Sequence, residues 1–269
     1  MNKPKLLFVY DMRDTSHWMD GLHAALFLLE EDFDVFYWNL SNKEEERMDY
    51  RDADFVLGWG AFDSSVDKQL KLCGDAKKIG LCIGGNGTPA REGYDVLFYE
   101  TKWVRNFLDL GMFCNNLVHA FGVNTDIYNE IDITVPIVWD YIGVGSFSLW
   151  KRWHRMQNKK GTKLVVGEYQ VDNEPESMAI VQSLIIRNIM VSDTVSPFDL
   201  ANFYHWSRTL YMPSDIYGGG ERAVLEARAC GLNVEIEDDN PKLKELLESP
   251  IYDHHYYAEQ LKKGIMSVL

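Results

Sequence analysis

The sequence of 269 residues has few cysteines and lacks a long apolar run. Its four cysteines, Cys73, Cys82, Cys114 and Cys230, show neither C-x-x-C spacing nor clustered histidines, which argues against a zinc site. Small buried thiols are expected instead, and reduced cysteines are typical of a cytoplasmic protein. No window approaches the roughly 18 uninterrupted apolar residues of a membrane span. Only a five-residue apolar run, LLFVY, precedes Asp11, so no secretory signal is expected.

Positive charge is also scarce. The sequence holds 27 Lys and Arg against 41 Asp and Glu, a formal net charge of −14. Such a surface repels nucleic acid and anionic membranes unless a local basic patch reverses the field. One basic stretch without an acid, residues 151–163, contains Lys151, Arg152, Arg155, Lys159, Lys160 and Lys163. Two interpretations of this stretch stay open, an ordinary solvated face and a binding face for DNA.

The sequence does contain a repeated alternation of short apolar runs and amphipathic segments. Runs rich in β-branched and aromatic residues predict strands over 5–11, 34–40, 54–60, 78–85, 95–101 and 116–123, and again over 139–147, 162–169, 188–195, 209–214 and 233–237. Helical patterns between them include 20–31, 102–111, 151–159, 175–187, 197–207 and 220–230. Strands that alternate with helices indicate parallel sheets covered on both faces. We therefore predict an α/β protein with two doubly wound, Rossmann-like domains.

The boundary between the two domains is predicted where apolar periodicity lapses, within residues 122–136. This gives an N-terminal domain over 1–122 and a C-terminal domain over 123–248. The remaining residues, 249–269, are predicted to form a helical tail that packs back on the first domain.

Glycines fall repeatedly after the predicted strands, where open α/β sheets bind ligands. No G-x-G-x-x-G follows the first strand, which argues against a Rossmann dehydrogenase. The strongest signal is Gly218–Gly220, which runs directly into a helix. A glycine turn before a helix N-terminus suits a phosphate. Glu226, further along that helix, could accept hydrogen bonds from a ribose, or it could pair with Arg222 one turn away.

The stretch "LYMPSDIYGGGERAVLEARACGLNVEI" resembles the donor-binding segment of the retaining glycosyltransferases with GT-B architecture, family GT4. The "PS", "LEA" and "ACG" of that family occur here in the same order. Three further stretches agree in sequence order. Residues 117–130 are similar to the family's "IPNGVDxxxF", residues 141–153 to "FVGRLxxxKG", and residues 196–214 to "DLxxLYxxADVFVLPS".

The resemblance implies a glycosyltransferase, hexosyl or pentosyl, whose two domains face a cleft. The first domain would take an unidentified acceptor. The second would bind a nucleotide-diphosphate sugar, whose sugar is transferred with retention of configuration. No metal and no cofactor are implied beyond that co-substrate, because protein cations and helix dipoles stabilise the leaving diphosphate.

By the same resemblance, individual residues acquire roles. Lys151 would contact the diphosphate, Glu226 the ribose, and the backbone of Gly219 and Gly220 the diphosphate or the sugar. The base of the donor nucleotide would lie near Val195 and Ser196. The other donor-side candidates are Gly145, Ser146, Arg152, Glu221 and Arg222. Lys151 and Glu221 are also the candidate catalytic residues. The acceptor-side candidates are Asp11, Arg13, Asp14 and Trp59.

Three departures from the family pattern keep alternatives open. The usual acid eight residues before the helix glutamate is replaced by Gly218, so the nearest acid is Glu221, which we expect to accept hydrogen bonds from a neutral sugar. The usual arginine is replaced by Ser146, and the N-terminal histidine of many members has no counterpart. The alternatives are a nucleotide-sugar epimerase or hydrolase, a catalytically silent sugar-nucleotide-binding protein, and a sugar transferase of viral type that modifies DNA bases.

Overall fold

The structure is a computed structural model that describes residues 3–12, 20–42, 49–61, 63–74, 77–84, 92–132, 135–170 and 173–269. These residues contain eleven strands: β1 Lys5–Tyr10, β2 Asp34–Asn39, β3 Phe55–Gly60, β4 Lys78–Ile83, β5 Val96–Tyr99, β6 Leu117–His119, β7 Trp139–Val144, β8 Lys163–Val166, β9 Met190–Ser192, β10 Ser207–Met212 and β11 Asn233–Ile236. They also contain eight α-helices: α1 Gly21–Leu29, α2 Ser65–Gly74, α3 Lys102–Phe107, α4 Glu174–Ile186, α5 Pro197–His205, α6 Glu221–Ala229, α7 Pro241–Glu248 and α8 His254–Met266.

The strands form two sheets in which every pair is parallel. The first sheet has the order β2-β1-β3-β4-β5-β6, and the second has the order β11-β10-β7-β8-β9. Each of the eleven predicted strands coincides with an observed one, because central parallel strands are buried on both faces and read as continuous apolar runs. Each sheet reverses its strand order once, between β1 and β3 and between β7 and β10. Such reversals are where doubly wound sheets bind ligands.

One helix prediction is wrong. Residues 151–159 form no α-helix. They form parts of two short 3-10 helices, Leu149–Lys151 and Trp153–Asn158, separated by Arg152. Arg152 has a left-handed backbone with φ of 50°. That conformation ends a right-handed helix, and the side-chain bonds of Arg152 described below hold it in place.

The chain divides into two compact units. The first unit comprises the described residues of 1–122 together with 252–269, and the second comprises those of 123–251. In the first unit, α8 packs on α1 and on strands β5 and β6. Among the described helices, none has the length and apolarity that crossing a bilayer requires.

The contact between α8 and the first sheet depends on a glycine. A Cβ atom at Gly264 would lie 2.7 Å from Phe98 Cζ and 3.3 Å from Val118 Cγ2. Phe98 is 1% exposed and cannot move aside without disturbing a packed interior. Gly264 therefore allows the helix to approach the sheet closely.

We predict that Gly264→Val destabilises the protein by about 1–3 kcal/mol through overpacking. The free energy of unfolding in urea, followed by circular dichroism, measures the effect. Gly111→Ala is the matched control, because a Cβ atom there meets nothing within 4 Å. Equal stability of Gly264→Val and the parent would contradict this packing.

Candidate functional site

The candidate site lies in the second unit, where the strand order reverses between β7 and β10. The loop after β7 contains Gly145 and Lys151, and the loop after β10 runs from Pro213 to Gly220. Gly145 has a φ of 140°, and a Cβ atom there would lie 2.8 Å from Lys151 Nζ. A side chain at this position would therefore displace the lysine.

The two loops are packed directly on each other at Gly218. The Asp215 N–H donates to the Trp150 carbonyl oxygen at 3.0 Å. A Cβ atom at Gly218 would lie 2.9 Å from the Trp150 carbonyl carbon and 3.0 Å from Ser214 Cβ. This arrangement leaves no room for a side chain at position 218. The packing of the two loops thus requires a glycine at this position.

The glycines after Gly218 lead into the N-terminus of α6. Gly219 and Gly220 have φ values of 61° and 122°, in the region that L-residues with side chains rarely adopt. The Val224 N–H donates to the Gly220 carbonyl at 3.0 Å, which begins the helical hydrogen bonding. The preceding N–H groups of the first turn have no backbone carbonyl to donate to within the helix, and they carry the positive end of its dipole. The Glu221 carboxylate accepts from its own backbone N–H.

The side chains of Glu221 and Lys151 lie beside Gly219, and Lys151 is the cation of the two. It is only 7% exposed, yet across the described residues its Nζ has no hydrogen bond and no ion pair. A Cβ atom at Gly219 would lie 3.6 Å from this Nζ. Burial lowers the pKa of Lys151 to about 8; the nearby Glu221 carboxylate opposes that shift, and the charges of Lys242 and Arg222 add to it. The site thus contains a buried cation that has no hydrogen bond or ion pair with any described residue, and such a cation favours an anion.

Two further buried charges lie beside Lys151. Glu221 is 9% exposed, Lys242 is 3% exposed, and Lys242 Nζ lies 2.7 Å from Glu221 Oε1. Burial acts to raise the pKa of Glu221, but the charge and hydrogen bond of Lys242, together with the backbone and Lys151, outweigh burial and lower it. Sequence reasoning missed Lys242, because a lysine in "NPKLKELLE" has the pattern of an exposed helix residue.

Asn240 fixes the start of α7 against the site. Its side chain accepts from the Leu243 N–H at 3.3 Å, which caps the helix. Its Nδ2 donates to the carbonyl oxygens of Ser214 and Asp215, both at 2.9 Å. The Ser214 hydroxyl is fully buried and has no hydrogen-bond partner in the described part of the chain. These bonds tie Lys242 to the loop after β10.

Glu226 is also buried, at 6% exposure, one and a half turns into α6. The Tyr204 hydroxyl of α5 donates to Glu226 Oε2 at 3.1 Å. Burial, followed by the charge of Glu226, raises the pKa of Tyr204 well above its usual value, so the hydroxyl stays a donor. The carboxylate thus has a structural partner in the Tyr204 hydroxyl.

The remaining donor-side candidates differ in what they contact. The Ser146 carbonyl accepts from Trp153 Nε1 at 2.9 Å, and Ser146 Oγ lies 3.3 Å from Ser148 Oγ. Ser196 caps α5 by accepting from the Asp199 N–H at 3.1 Å. Val195, just before it, is half-buried, and Arg222 in the first turn of α6 is exposed.

The basic stretch is largely neutralised within the unit. Arg152 forms a bidentate pair with Asp239, at 2.6 and 2.8 Å, and also donates to the Pro213 carbonyl at 2.7 Å. Arg155 pairs with Glu237 at 2.6 Å, and Lys159 pairs with Glu235. Arg152 is therefore engaged structurally, and the three cations do not form a free face for DNA phosphates.

The acceptor-side candidates belong to the first unit. Asp11, after β1, accepts hydrogen bonds from the hydroxyls of Ser41 and Ser65. Trp59 lies on β3 and packs on Gly84, where a Cβ atom would lie 2.8 Å from the ring. Arg13 and Asp14 lie outside the described residues.

A cavity of about 440 Å³ lies elsewhere in the second unit, lined among others by Glu130, His205, Arg208 and Gly231. It adjoins the start of β10, whereas the glycine loop follows its end, so it is separate from the buried cations. Within the described ranges, no three His, Cys, Asp or Glu side chains are placed to hold a metal ion.

Comparison with known proteins gives matches in structure. No protein-family model matches the chain, and no curated protein matches it in sequence. A glycosyltransferase from Rickettsia africae ESF-5 is 12% identical at a TM-score of 0.62, with 99% of this chain and 89% of that chain covered. HepE of Anabaena, solved with UDP-glucose, is 11% identical at a TM-score of 0.63, and the match covers 98% of this chain and 90% of that chain. A putative UDP-N-acetylglucosamine 2-epimerase from Listeria monocytogenes is 14% identical at a TM-score of 0.59, and the match covers 99% of this chain and 96% of that chain.

Identities this low establish the fold alone. Together with the two parallel sheets, they confirm the predicted fold class, an α/β protein with two doubly wound domains of the GT-B type.

The unpaired cation yields a prediction about stability. The pKa of Lys151 is about 8 in the folded protein and near 10.5 as an unperturbed lysine. Between these values the unfolded chain binds more protons than the folded one, so stability rises with pH. Lys151→Met removes this buried charge. We expect the variant to be more stable than the parent at pH 7, and the difference to shrink between about pH 8 and 10.5. Urea unfolding in buffers without phosphate or sulfate measures it, and a difference that does not change with pH would contradict the burial of a charged Lys151.

Proposed function

We propose that the protein is a glycosyltransferase that binds a nucleotide-diphosphate sugar in its second unit and transfers the sugar to an acceptor. The single observation that carries the proposal is the buried ammonium of Lys151, which has no partner among the described residues and faces Gly219 at the N-terminus of α6. A cation, the N–H groups of a helix N-terminus and the helix dipole converge on one glycine turn, and this combination favours a phosphate group.

The same groups supply the chemistry of a leaving diphosphate. As the bond between sugar and diphosphate breaks, negative charge grows on the phosphate oxygens. Lys151, Arg222 and the first N–H groups of α6 are placed before the reaction and stabilise that charge without reorganisation. Lys151 is thus proposed to act in binding and in the transition state.

Glu226 is proposed to bind the ribose. It lies further along α6 than the glycine turn, where a nucleoside attached to the diphosphate would extend. Its carboxylate, fixed by Tyr204, can accept from two adjacent hydroxyls. The base is proposed to lie near Val195 and Ser196, after β9.

The acceptor side, the retention of configuration and the membership of family GT4 are proposals that rest on the sequence resemblance. The first unit, with Asp11, Arg13, Asp14 and Trp59 as candidates, is proposed to take the acceptor. The transferred sugar is a hexose or a pentose. HepE was solved with UDP-glucose, so that donor is the first to test.

An epimerase is the second candidate, because a putative UDP-N-acetylglucosamine 2-epimerase also matches the fold. A silent binding protein is the third, because Gly218 and Ser146 stand where the family has an acid and an arginine. The DNA-modifying alternative loses its support, since Arg152, Arg155 and Lys159 are paired with acids.

Incubation with a panel of radiolabelled UDP-, GDP- and ADP-sugars separates these functions. Slow release of free sugar without an acceptor, with the configuration of the anomeric carbon retained, supports the transferase. Conversion of UDP-N-acetylglucosamine to its 2-epimer supports the epimerase, and binding without turnover supports the silent protein. The absence of binding to every member of the panel would contradict the proposed function.

Lys151→Ala tests the diphosphate contact. Loss of a charged hydrogen bond weakens UDP binding by about 1.5–3 kcal/mol, a roughly 10- to 150-fold rise in Kd. Isothermal titration calorimetry measures this. The matched control is Lys160→Ala, which removes an exposed lysine of the same basic stretch and should leave Kd unchanged. Equal affinity of Lys151→Ala and the parent would remove Lys151 from the site.

Glu226→Gln tests the ribose contact. The amide keeps the shape of the side chain but replaces one acceptor oxygen by a donor, so binding of UDP should weaken while binding of inorganic pyrophosphate persists. Tyr204→Phe is the control for the structural partner, since it leaves the carboxylate in place. If Glu226→Gln binds UDP as tightly as the parent does, Glu226 has only its structural role with Tyr204.

A further inference from the structure

The ion pair between Glu221 and Lys242 is unusual for its burial. The side chain of Lys242 is 3% exposed and that of Glu221 is 11% exposed, and the two charges lie 2.7 Å apart. Removal of two charges from water costs several kcal/mol per ion, so a buried pair is weak evidence of stabilisation. Apolar residues could fill the same space, and the pair therefore points to a role in the neighbouring site.

The two oxygens of Glu221 face different surroundings. Oε1 is held by Lys242 Nζ, while Oε2 lies 3.5 Å from the position of a Cβ atom on Gly219. Lys151 Nζ lies 3.6 Å from that same position. One carboxylate oxygen is thus fixed by α7, and the other is presented beside the glycine turn and the unpaired ammonium.

We infer that Lys242 is a positioning residue, which holds Glu221 ionised and oriented so that its second oxygen accepts hydrogen bonds from the hydroxyls of the donor sugar. The inference rests on the proposed function. A carboxylate repels a diphosphate and accepts readily from neutral hydroxyl groups, so the sugar is its partner in a nucleotide-diphosphate sugar. Lys242 itself lies behind Glu221 and touches no substrate.

The position of Lys242 is set by the fold. Lys242 is the second residue of α7, directly after Pro241. Asn240 caps that helix and binds the carbonyl oxygens of Ser214 and Asp215. The ammonium is thus anchored through α7 to the loop that contains the glycines, which fixes the geometry before a ligand binds.

Three further charges lie near Glu221 and Lys151: Lys242 from α7, Arg222 from α6 and Glu168 from the segment after β8. Lys242 is the charge that contacts Glu221 directly. In Lys242→Met, the largest of the influences that lower the pKa of Glu221 is lost, so this pKa rises. Recognition of the sugar then depends on pH in a range where the parent shows no such dependence.

Calorimetry with UDP and UDP-glucose tests the inference between about pH 5.5 and 7.5. The readout is the ratio of the two affinities, each compared with the parent at the same pH. For Lys242→Met we expect this ratio to fall roughly tenfold at pH 5.5, and to recover towards pH 7.5 as Glu221 ionises. The affinity for UDP alone should stay within about threefold of the parent at pH 5.5. Lys242→Arg, which keeps the charge, should restore the ratio.

A double variant, Glu221→Gln with Lys242→Met, tests the same inference if the single variant Lys242→Met does not fold. Its two side chains are neutral and similar in volume to the originals, so neither leaves an unpaired buried charge. It should bind UDP like the parent and lack the preference for UDP-glucose at every pH. Two outcomes would overturn the role of Lys242 while leaving the proposed function intact. In one, Lys242→Met loses affinity for UDP and for UDP-glucose equally and independently of pH. In the other, the double variant still prefers UDP-glucose. A parent protein that binds neither ligand would overturn both.

Discussion

The buried ammonium of Lys151, which has no partner in the described part of the chain, is the constraint on which the candidate site depends. Such a group opposes folding, because its charge is removed from water and no acid neutralises it directly. The loops around it are arranged to accommodate it: Gly145 leaves room for the ammonium, and Gly219 leaves open the space that it faces. Functional residues often lower the stability of the free protein, and ligand binding then raises it.

The charges near Lys151 are mostly engaged in ion pairs. The cations of Arg152, Arg155 and Lys159 pair with acids of β11 and the residues after it, and they fasten the loop after β7. Glu221 is paired with Lys242. This leaves Lys151 as the buried cation without a counter-ion in the described part of the second unit. Residues of one basic run thus differ in the structure: Arg152, Arg155 and Lys159 form ion pairs, whereas Lys151 is buried beside the glycine turn.

Much of the fold follows from the sequence. The eleven strands were predictable because buried parallel strands are apolar runs, and β10 with α6 was predictable because three glycines precede an amphipathic helix. The conformation of Arg152 was not, since its left-handed backbone depends on Asp239, far away in sequence. The burial of Lys242 was not predictable either, because a helical lysine is usually solvated and only the capping of α7 by Asn240 brings it to the glycine loop. The limits of the predicted domains and the roles of the site residues stay predictions.

The central claim is that the anion which completes this site is a diphosphate held by Lys151. Its most direct test is the uptake of protons on ligand binding. Calorimetric titration of UDP-glucose at about pH 8.5, in two buffers of different ionisation enthalpy, gives the number of protons bound. With the pKa of Lys151 at about 8, much of the free protein carries a neutral amine at that pH, and a bound diphosphate favours the ammonium. The account predicts an uptake of a substantial fraction of one proton, which is absent in Lys151→Met. Binding of UDP-glucose without proton uptake by the parent would contradict it.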